Sequence, residues 1–466
     1  MYGQDRVFEL LHDVLSRVEA DASEATFMFD DEALTRFANN TIHQNVAQSN
    51  TRLAVRAVVN GGVGLAVTNR LDADGRRRVA DQAARMARLQ PPDPDFPGLA
   101  PGGAVRPAQT FYETTAAATP ARRAEGVRVI VDAAAGRGYL ATGALSTQHG
   151  ELAIANTAGA RVYAPTTLAS LRAVVDANPP AGLGIVTGYA DIISRDLDAI
   201  DAAAVATRAV DKTAIAAGDA LPRGSSGPDL QVLPPGHYVT ILEEIAVADL
   251  LRFLARWGLS AKAAQEGRSF AVGQMEQPVC GENFTLWDDA ADARNLALPF
   301  DWEGMPAQKL CLIDRGVLKE LAYDRRTAEA AGRASTGHAM SHVGGFGTPW
   351  PVPTHLFVAP GATSREALIE GVERGVLVTR FHYTHCPEPQ RLVVTGTTRD
   401  GTFLIEDGRI VAALQNARFT ESVLDTFSKI DALSDTTELH RDWWGSAAHH
   451  VPAMRVHAFA FTGGAQ

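Results

Sequence analysis

A strand-like run, HYVTIL, passes directly into ILEEIAVADLLRFLARW, residues 241–257, which holds neither proline nor glycine. Ala246, Leu250, Phe253, Leu254 and Trp257 follow one another in steps of four, three, one and three, so they share one helical face. Gly258 supplies a stop after the last aromatic, and Pro234, Pro235 and Gly236 break the chain just upstream. The first half of this helix carries Glu243, Glu244 and Asp249, which are expected to solvate the outer face and complement the positive end of the helix dipole. A zinc hydrolase motif at such a junction needs two neutral imidazoles and a carboxylate to activate water. No histidine lies between His237 and His338, so this helix cannot be an imidazole-rich metal site.

At 466 residues the chain exceeds one small core, and two domains are expected. A net charge of −11 argues against a nucleic-acid partner, which would require a basic face. No apolar run approaches the ~20 residues of a membrane span. The first residues, MYGQDRVFELLHDVLSRVEA, read as an amphipathic helix rather than a signal peptide. Cys280, Cys311 and Cys386 are far apart and lack CxxC spacing, which fits free thiols in a reducing cytoplasm.

In chain order, a helix is expected over Asp5 to Ala20, then a strand at ATFMFD. Leu53, Val55 and Ala57 alternate with Arg52, Ala54 and Arg56, and after Asn60-Gly61-Gly62 the pattern resumes at Val63, Leu65 and Val67, a hairpin. RRRVADQAARMARLQ is a second helix, residues 91–107 a Pro-rich surface loop, and TPARRAEGVRVIVDAAAG a further helix. A second strand-turn-strand unit follows, with Asn156 to Gly159 as its turn. The fold class is α+β. A helix and antiparallel-sheet domain is expected over 1–216, a Gly/Pro/Ser-rich linker over 217–236, and a strand-rich domain with a curled antiparallel sheet over 237–466. In that last part, turns are expected at DRG (314–316), TTRDG and IEDGRI, with strands at Leu392 to Gly396, Gly401 to Glu406 and Arg409 to Leu414. The glycine patterns GGVGL and GGFGT do not link a strand to a helix, so nucleotide binding is discarded.

Taken in order, TRFANNTIHQN, LAVRAVVNGGVGLAVTNRLD, LEEIAVADLLRFLA, FDWEGMPAQKLCLIDRGVLKELAYDRRTA, STGHA, TGTTRDGTFLIEDGRIV and NARFTESVL resemble the TldD/PmbA family, modulators of DNA gyrase known also as two-component metallopeptidases. The resemblance covers essentially the whole chain. It implies two kinds of subunit, of which the catalytic kind carries His-Glu-x-x-x-His on this helix and a late cysteine that completes a zinc site. Here the three motif positions are Glu244, Ile245 and Asp249, and an isoleucine cannot accept a proton from water. Where the late cysteine would stand the chain reads RDWWGSAAHHVPAM. The resemblance is therefore to the PmbA (TldE-like) subunit. It implies a heterodimer with a TldD-like catalytic partner that holds the zinc, a peptide-sized cavity, and cleavage of short or unfolded peptides or leader peptides. No catalytic, metal-ligating or cofactor-binding residue is expected in this chain, nor any nucleic-acid or membrane partner; a homodimer is expected when it is alone.

Two other readings carry residues. His338, His342, His382 and His385, with Cys386 and Glu388 nearby, could form a relocated metal site of a hydrolase, against a plain loop-and-strand role. Glycines around His338 and His342 point to a mobile loop there, and Cys386 lacks a cationic neighbour and is expected to be inert. Alternatively the chain is a peptide-binding or regulatory scaffold homodimer. His449-His450 beside Trp443-Trp444 suits either a partner contact or a packed cluster.

Overall fold

The computed structural model describes residues 1–177, 186–221, 230–341, 349–441 and 447–464. The N-terminal half is one antiparallel sheet with helices on one face. Its strands are β1 (Ala22–Ala38), β2 (Thr41–Val59), β3 (Gly62–Thr68), β4 (Leu140–Asn156), β5 (Arg161–Asp176) and β6 (Thr187–Ser194), in the order β3-β2-β1-β4-β5-β6. The helices are α1 (Gln4–Leu15), α2 (Ala73–Leu89), the single turn α3 (Glu113–Ala116), α4 (Pro120–Ala135) and α5 (Ala202–Ala216). Side chains alternate across a strand, so the odd residues of β1 serve the helices. Phe27 packs with Leu53 and Val55 against α1 and α2, and Phe37 packs with Leu145 and Leu171 against α4 and α5. Asp72, Thr119 and Asp201 cap α2, α4 and α5 by accepting from the backbone N–H groups of Gly75, Arg122 and Ala204. The glycines of GGVGL permit close packing: a Cβ on Gly64 would lie 2.3 Å from the Ala87 nitrogen on α2. The GGFGT glycines lie outside the described residues.

The opposite face of this sheet meets the C-terminal half. Leu152, Ile154 and Val162 pack there with Met28 against Phe300, Leu298 and Trp302. The segment 91–107 is docked rather than free on the surface. Arg325 donates to the carbonyls of Gly98 (2.7 Å) and Pro97 (2.8 Å), and Arg106 pairs with Asp289 at 2.7 Å.

Strands of the C-terminal half are β7 (Gly236–Leu242), β8 (Leu286–Asp288), β9 (Leu310–Asp314), β10 (Val317–Leu318), β11 (Ala339–Met340), β12 (Trp350–Pro351), β13 (His355–Val358), β14 (Arg374–Glu388), β15 (Val393–Glu406), β16 (Arg409–Ala413), β17 (Ala417–Ser422), β18 (Ile430–Leu433), β19 (Glu438–Arg441), β20 (Ala448–Val451) and β21 (Met454–Gly464). One sheet runs β14-β7-β21-β17-β15-β16, and β15 pairs again with β14, so the curl expected from the sequence closes into a ring. Most pairings are antiparallel, β14 on β7 being parallel. Phe381, Phe419 and Phe459 stack together within it, with centroids 4.3–6.0 Å apart. A second sheet runs β10-β9-β8-β13-β20-β19.

Two sequence expectations are corrected here. TTRDG is not a turn: β15 continues through it, kinked at Asp400 (φ 54°) and Gly401 (φ 124°). The kink buries the Asp400 carboxylate, which accepts from Arg380 Nε on β14 at 2.8 Å and from Thr187 Oγ1 on β6 at 2.7 Å. The first helix stops at Leu15, short of Ala20. The hairpin at Asp314-Arg315-Gly316 stands as expected, with Arg315 and Gly316 both at positive φ. Residues 222–229 of the expected linker lie outside the described residues. Among the described residues no helix is long and apolar enough to cross a membrane.

Candidate functional site

The helix on which the sequence reading turned is α6 (Glu244–Phe253), entered straight from β7 and extended by a wider π-type turn over Leu254–Gly258. It packs against β14, β19 and β20. Ala246, Leu250, Phe253 and Leu254 are buried as their spacing requires, but so are Val247, Ala248 and Leu251. The helix has no solvated outer face, which overturns the expectation for its carboxylates: Glu244 is 2% exposed and Asp249 7%.

A carboxylate buried this deeply needs a partner. Glu244 ion-pairs with Arg365, whose guanidinium also reaches Glu438 at 2.6 Å. Glu438 in turn accepts two bonds of 2.7 Å from Arg208 on α5, a bidentate fork. His440 lies between Glu438 Oε2 (3.2 Å) and Asp191 Oδ1 on β6 (3.1 Å). Lys212 on α5 donates to Glu243 at 2.5 Å. The network therefore joins the helix to β6 and α5 of the N-terminal half. Burial works against the charge on His440, but Asp191 and Glu438 outweigh it and push its pKa up to about 10. Burial likewise opposes ionisation of Glu438, and bonds from His440 and Arg208 overcome that and hold it low. Glu244 goes the other way, raised by burial and by Glu438 despite Arg365.

The zinc implied for catalytic relatives does not fit this donor set. The three motif positions offer a carboxylate engaged by Arg365, the half-buried apolar Ile245 and the buried Asp249, with no imidazole among them. The described histidines of the relocated alternative, His338, His382 and His385, are not gathered. His338, expected on a mobile loop, is buried with its Nε2 on Asp288 Oδ1 (3.1 Å) and its Nδ1 on the Thr336 carbonyl (2.9 Å). His382 and His385 lie on β14 in the other sheet, and His342 lies outside the described residues. Among the described residues, no three His, Cys, Asp or Glu side chains are grouped so that they could hold a metal ion. Burial pushes the Cys386 thiol up to about 11, which suits an inert residue. His449 is buried on β20, and Trp443 and Trp444 lie outside the described residues.

A cavity of about 600 Å³ opens between the two halves. Met28, Arg52, Gln148 and Thr166 of the N-terminal sheet line one side, and Trp302, His338, Trp350 and His355 line the other. Asp301 also faces it. Its carboxylate accepts backbone N–H bonds of 2.9 Å from Glu303, Met305 and Ala339, yet burial still pushes its pKa up to about 6. Sequence reasoning missed Arg365, Glu438 and His440, whose links to one another and to Asp191 reach across as many as 249 positions. It missed Asp301 as well, although the residue lies inside the FDWEGMPAQ segment.

Residues 235–463 match the family model of the PmbA/TldA metallopeptidase C-terminal domain, and residues 31–87 match its domain 1. A metalloprotease TldD homolog of Buchnera aphidicola is 26% identical over 183 residues, 39% of this chain and 37% of that protein. A metalloprotease of Methanothermobacter thermautotrophicus is 25% identical over 187 residues, 40% of each chain. The chain thus spans less than half the length of the curated relatives it matches. The fold is that of TldE from Thermococcus kodakarensis, with a TM-score of 0.87 at 20% identity over 98% of this chain and 100% of that one. On these grounds the chain belongs to the PmbA/TldD metallopeptidase family.

Proposed function

We propose that this chain is the non-catalytic, TldE-like subunit of a heterodimeric TldD/TldE-type zinc peptidase. One observation carries the reading: the place where a catalytic relative needs two imidazoles and a general base is filled by Glu244, Ile245 and Asp249, with Arg365 drawn onto the carboxylate. A guanidinium at that point supplies positive charge without a Lewis-acid centre or an activated water. The partner subunit would carry His-Glu-x-x-x-His and the zinc. This chain would contribute contacts, shaping a cavity in which a short, unfolded or leader peptide is held against that zinc, and positioning alone raises turnover. The likeness of fold to a protein named TldE supports the assignment. Alone, the chain is expected to form a homodimer.

Metal content tests the reading directly. The isolated full-length chain is expected to retain no stoichiometric zinc after dialysis, read by elemental analysis. One tightly held zinc per chain, lost on substituting His338 or His382, would overturn it.

A further inference from the structure

We propose that the cavity between the two halves binds the carboxylate of a short peptide, with Arg195 as the anchoring cation. The inference deepens the peptide-handling role above and rests on it. Arg195 lines the cavity, and its Nη1 and Nη2 donate to the carbonyls of Thr167 and Ala297, each at 2.7 Å. Its Nε has no acceptor, and among the described residues no carboxylate pairs with it. Carbonyl oxygens hold a guanidinium in place but do not neutralise it. Burial, and then the nearby charge of Arg441, push the Arg195 pKa down to about 10, so both act against this cation. Arg195 is half-buried at the cavity wall, and a cation partly withdrawn from water gains when an anion joins it.

Arg123 shows what a purely structural buried arginine looks like in this fold. Its Nε and Nη1 bond Thr35 Oγ1, Thr147 Oγ1 and the Ala118 carbonyl, beneath α4 in the core. Arg195, by contrast, faces an opening. Arg441 and Arg256, both exposed, line the same cavity and connect it with solvent. The acid in the wall, Asp301, is already committed to three backbone N–H groups. Arg52 is paired with Asp30 at 2.9 Å. Among the described lining residues Arg52, Arg195, Arg256 and Arg441 outnumber the single carboxylate, Asp301, in a chain whose net charge is −11.

The remaining wall indicates what carries the carboxylate. Leu298, Phe300, Trp302 and Trp350 make one side apolar, suited to the side chains that precede a peptide's terminus. A volume of about 600 Å³ lies within the range of about 300–1,000 Å³ typical of pockets that enclose small ligands. With Nε shut off from solvent and one N–H of each Nη on a carbonyl, the remaining Nη N–H groups are left for a charge-assisted contact with a carboxylate. A free C-terminus and an acidic side chain both supply that group, and peptides can separate the two.

Calorimetry on the isolated full-length chain would compare three probes: N-acetyl-Ala-Leu-Ala-Phe with a free carboxylate, its C-terminal amide, and the amide with aspartate in place of leucine. The acid is expected to bind at least about tenfold more tightly than the plain amide, the loss typical of a charged hydrogen-bonded contact. Preference for the aspartate amide over the plain amide would assign the site to acidic side chains and also support it. Arg195→Gln is expected to abolish the preference; if that variant does not fold, the wild-type comparison stands by itself. Equal binding of all three probes, or none, overturns the carboxylate site. Preference for the acid alongside a mixture with the catalytic partner that cleaves nothing would leave this site standing and overturn the partner reading instead.

Discussion

Replacing Arg365 with methionine is expected to cost this protein about 3 kcal/mol of stability, the low end of what breaking a buried ion pair from one side costs. Arg365 is shared by Glu244 and Glu438, and Glu244 has almost no access to water. Without the guanidinium, Glu244 on α6 and Glu438 on β19 are left as two neighbouring carboxylates with no Arg365 nitrogen between them. The cost stays at the low end because Glu244, already raised by burial, can take up a proton instead of remaining charged. Glu438 also keeps its fork to Arg208. Urea unfolding of the variant beside wild type measures the difference. A change within about 0.5 kcal/mol, as for an ordinary surface substitution, would show that the network is not holding α6 in place.

The second large effect is a loss of stability in alkali. His440 is buried, and Asp191 and Glu438 raise its pKa from 6.5 to about 10. A group whose pKa is raised on folding contributes stability that is complete below its unfolded value. That contribution falls away as pH climbs through the folded value. The window is therefore from about pH 6.5 to about pH 10, and the loss is expected to be several kcal/mol, since one unit is about 1.4 kcal/mol. On the acid side the sign reverses. Asp191 and Glu438 are held below 3.8 and 4.5, so their contribution is present above those values and is lost as pH falls. Unfolding curves collected at about pH 7 and about pH 10 for wild type and His440→Asn measure the alkaline effect. The variant should start less stable and lose much less between the two conditions. Parallel losses would contradict the assignment of a charged His440.

Local pattern in the sequence carried much of this architecture. Period-two alternation placed the hairpin of β2 and β3 around Asn60-Gly61, and the Asn156 to Gly159 turn between β4 and β5, because each signal lies within a few residues. The helix at 244–253 was legible from its apolar spacing, and its family assignment from the order of short segments. Its environment was not. An amphipathic reading assumes one wet face, whereas β14, β19 and β20 pack against α6 and none of its residues is exposed, and nothing local to Glu244 announces Arg365 across 121 positions. The same limit hid the roles of Asp400 and His338. Glycines argued for a turn at one and a loose loop at the other, and buried partners, Arg380 and Asp288, decided otherwise. Arg195 was invisible for a different reason: its significance is that among the described residues no carboxylate pairs with it, and spacing cannot reveal a missing partner.

In the proposed function this chain works through contacts while a related subunit performs the chemistry. Peptidase activity should be assayed for the chain alone, for a TldD-like partner bearing His-Glu-x-x-x-His alone, and for the two co-purified. Hydrolysis of short peptides is expected only from the pair, and is expected to be lost when the partner's motif is substituted. Cleavage by the partner alone at the rate of the pair, or by this chain alone, would contradict the proposed function.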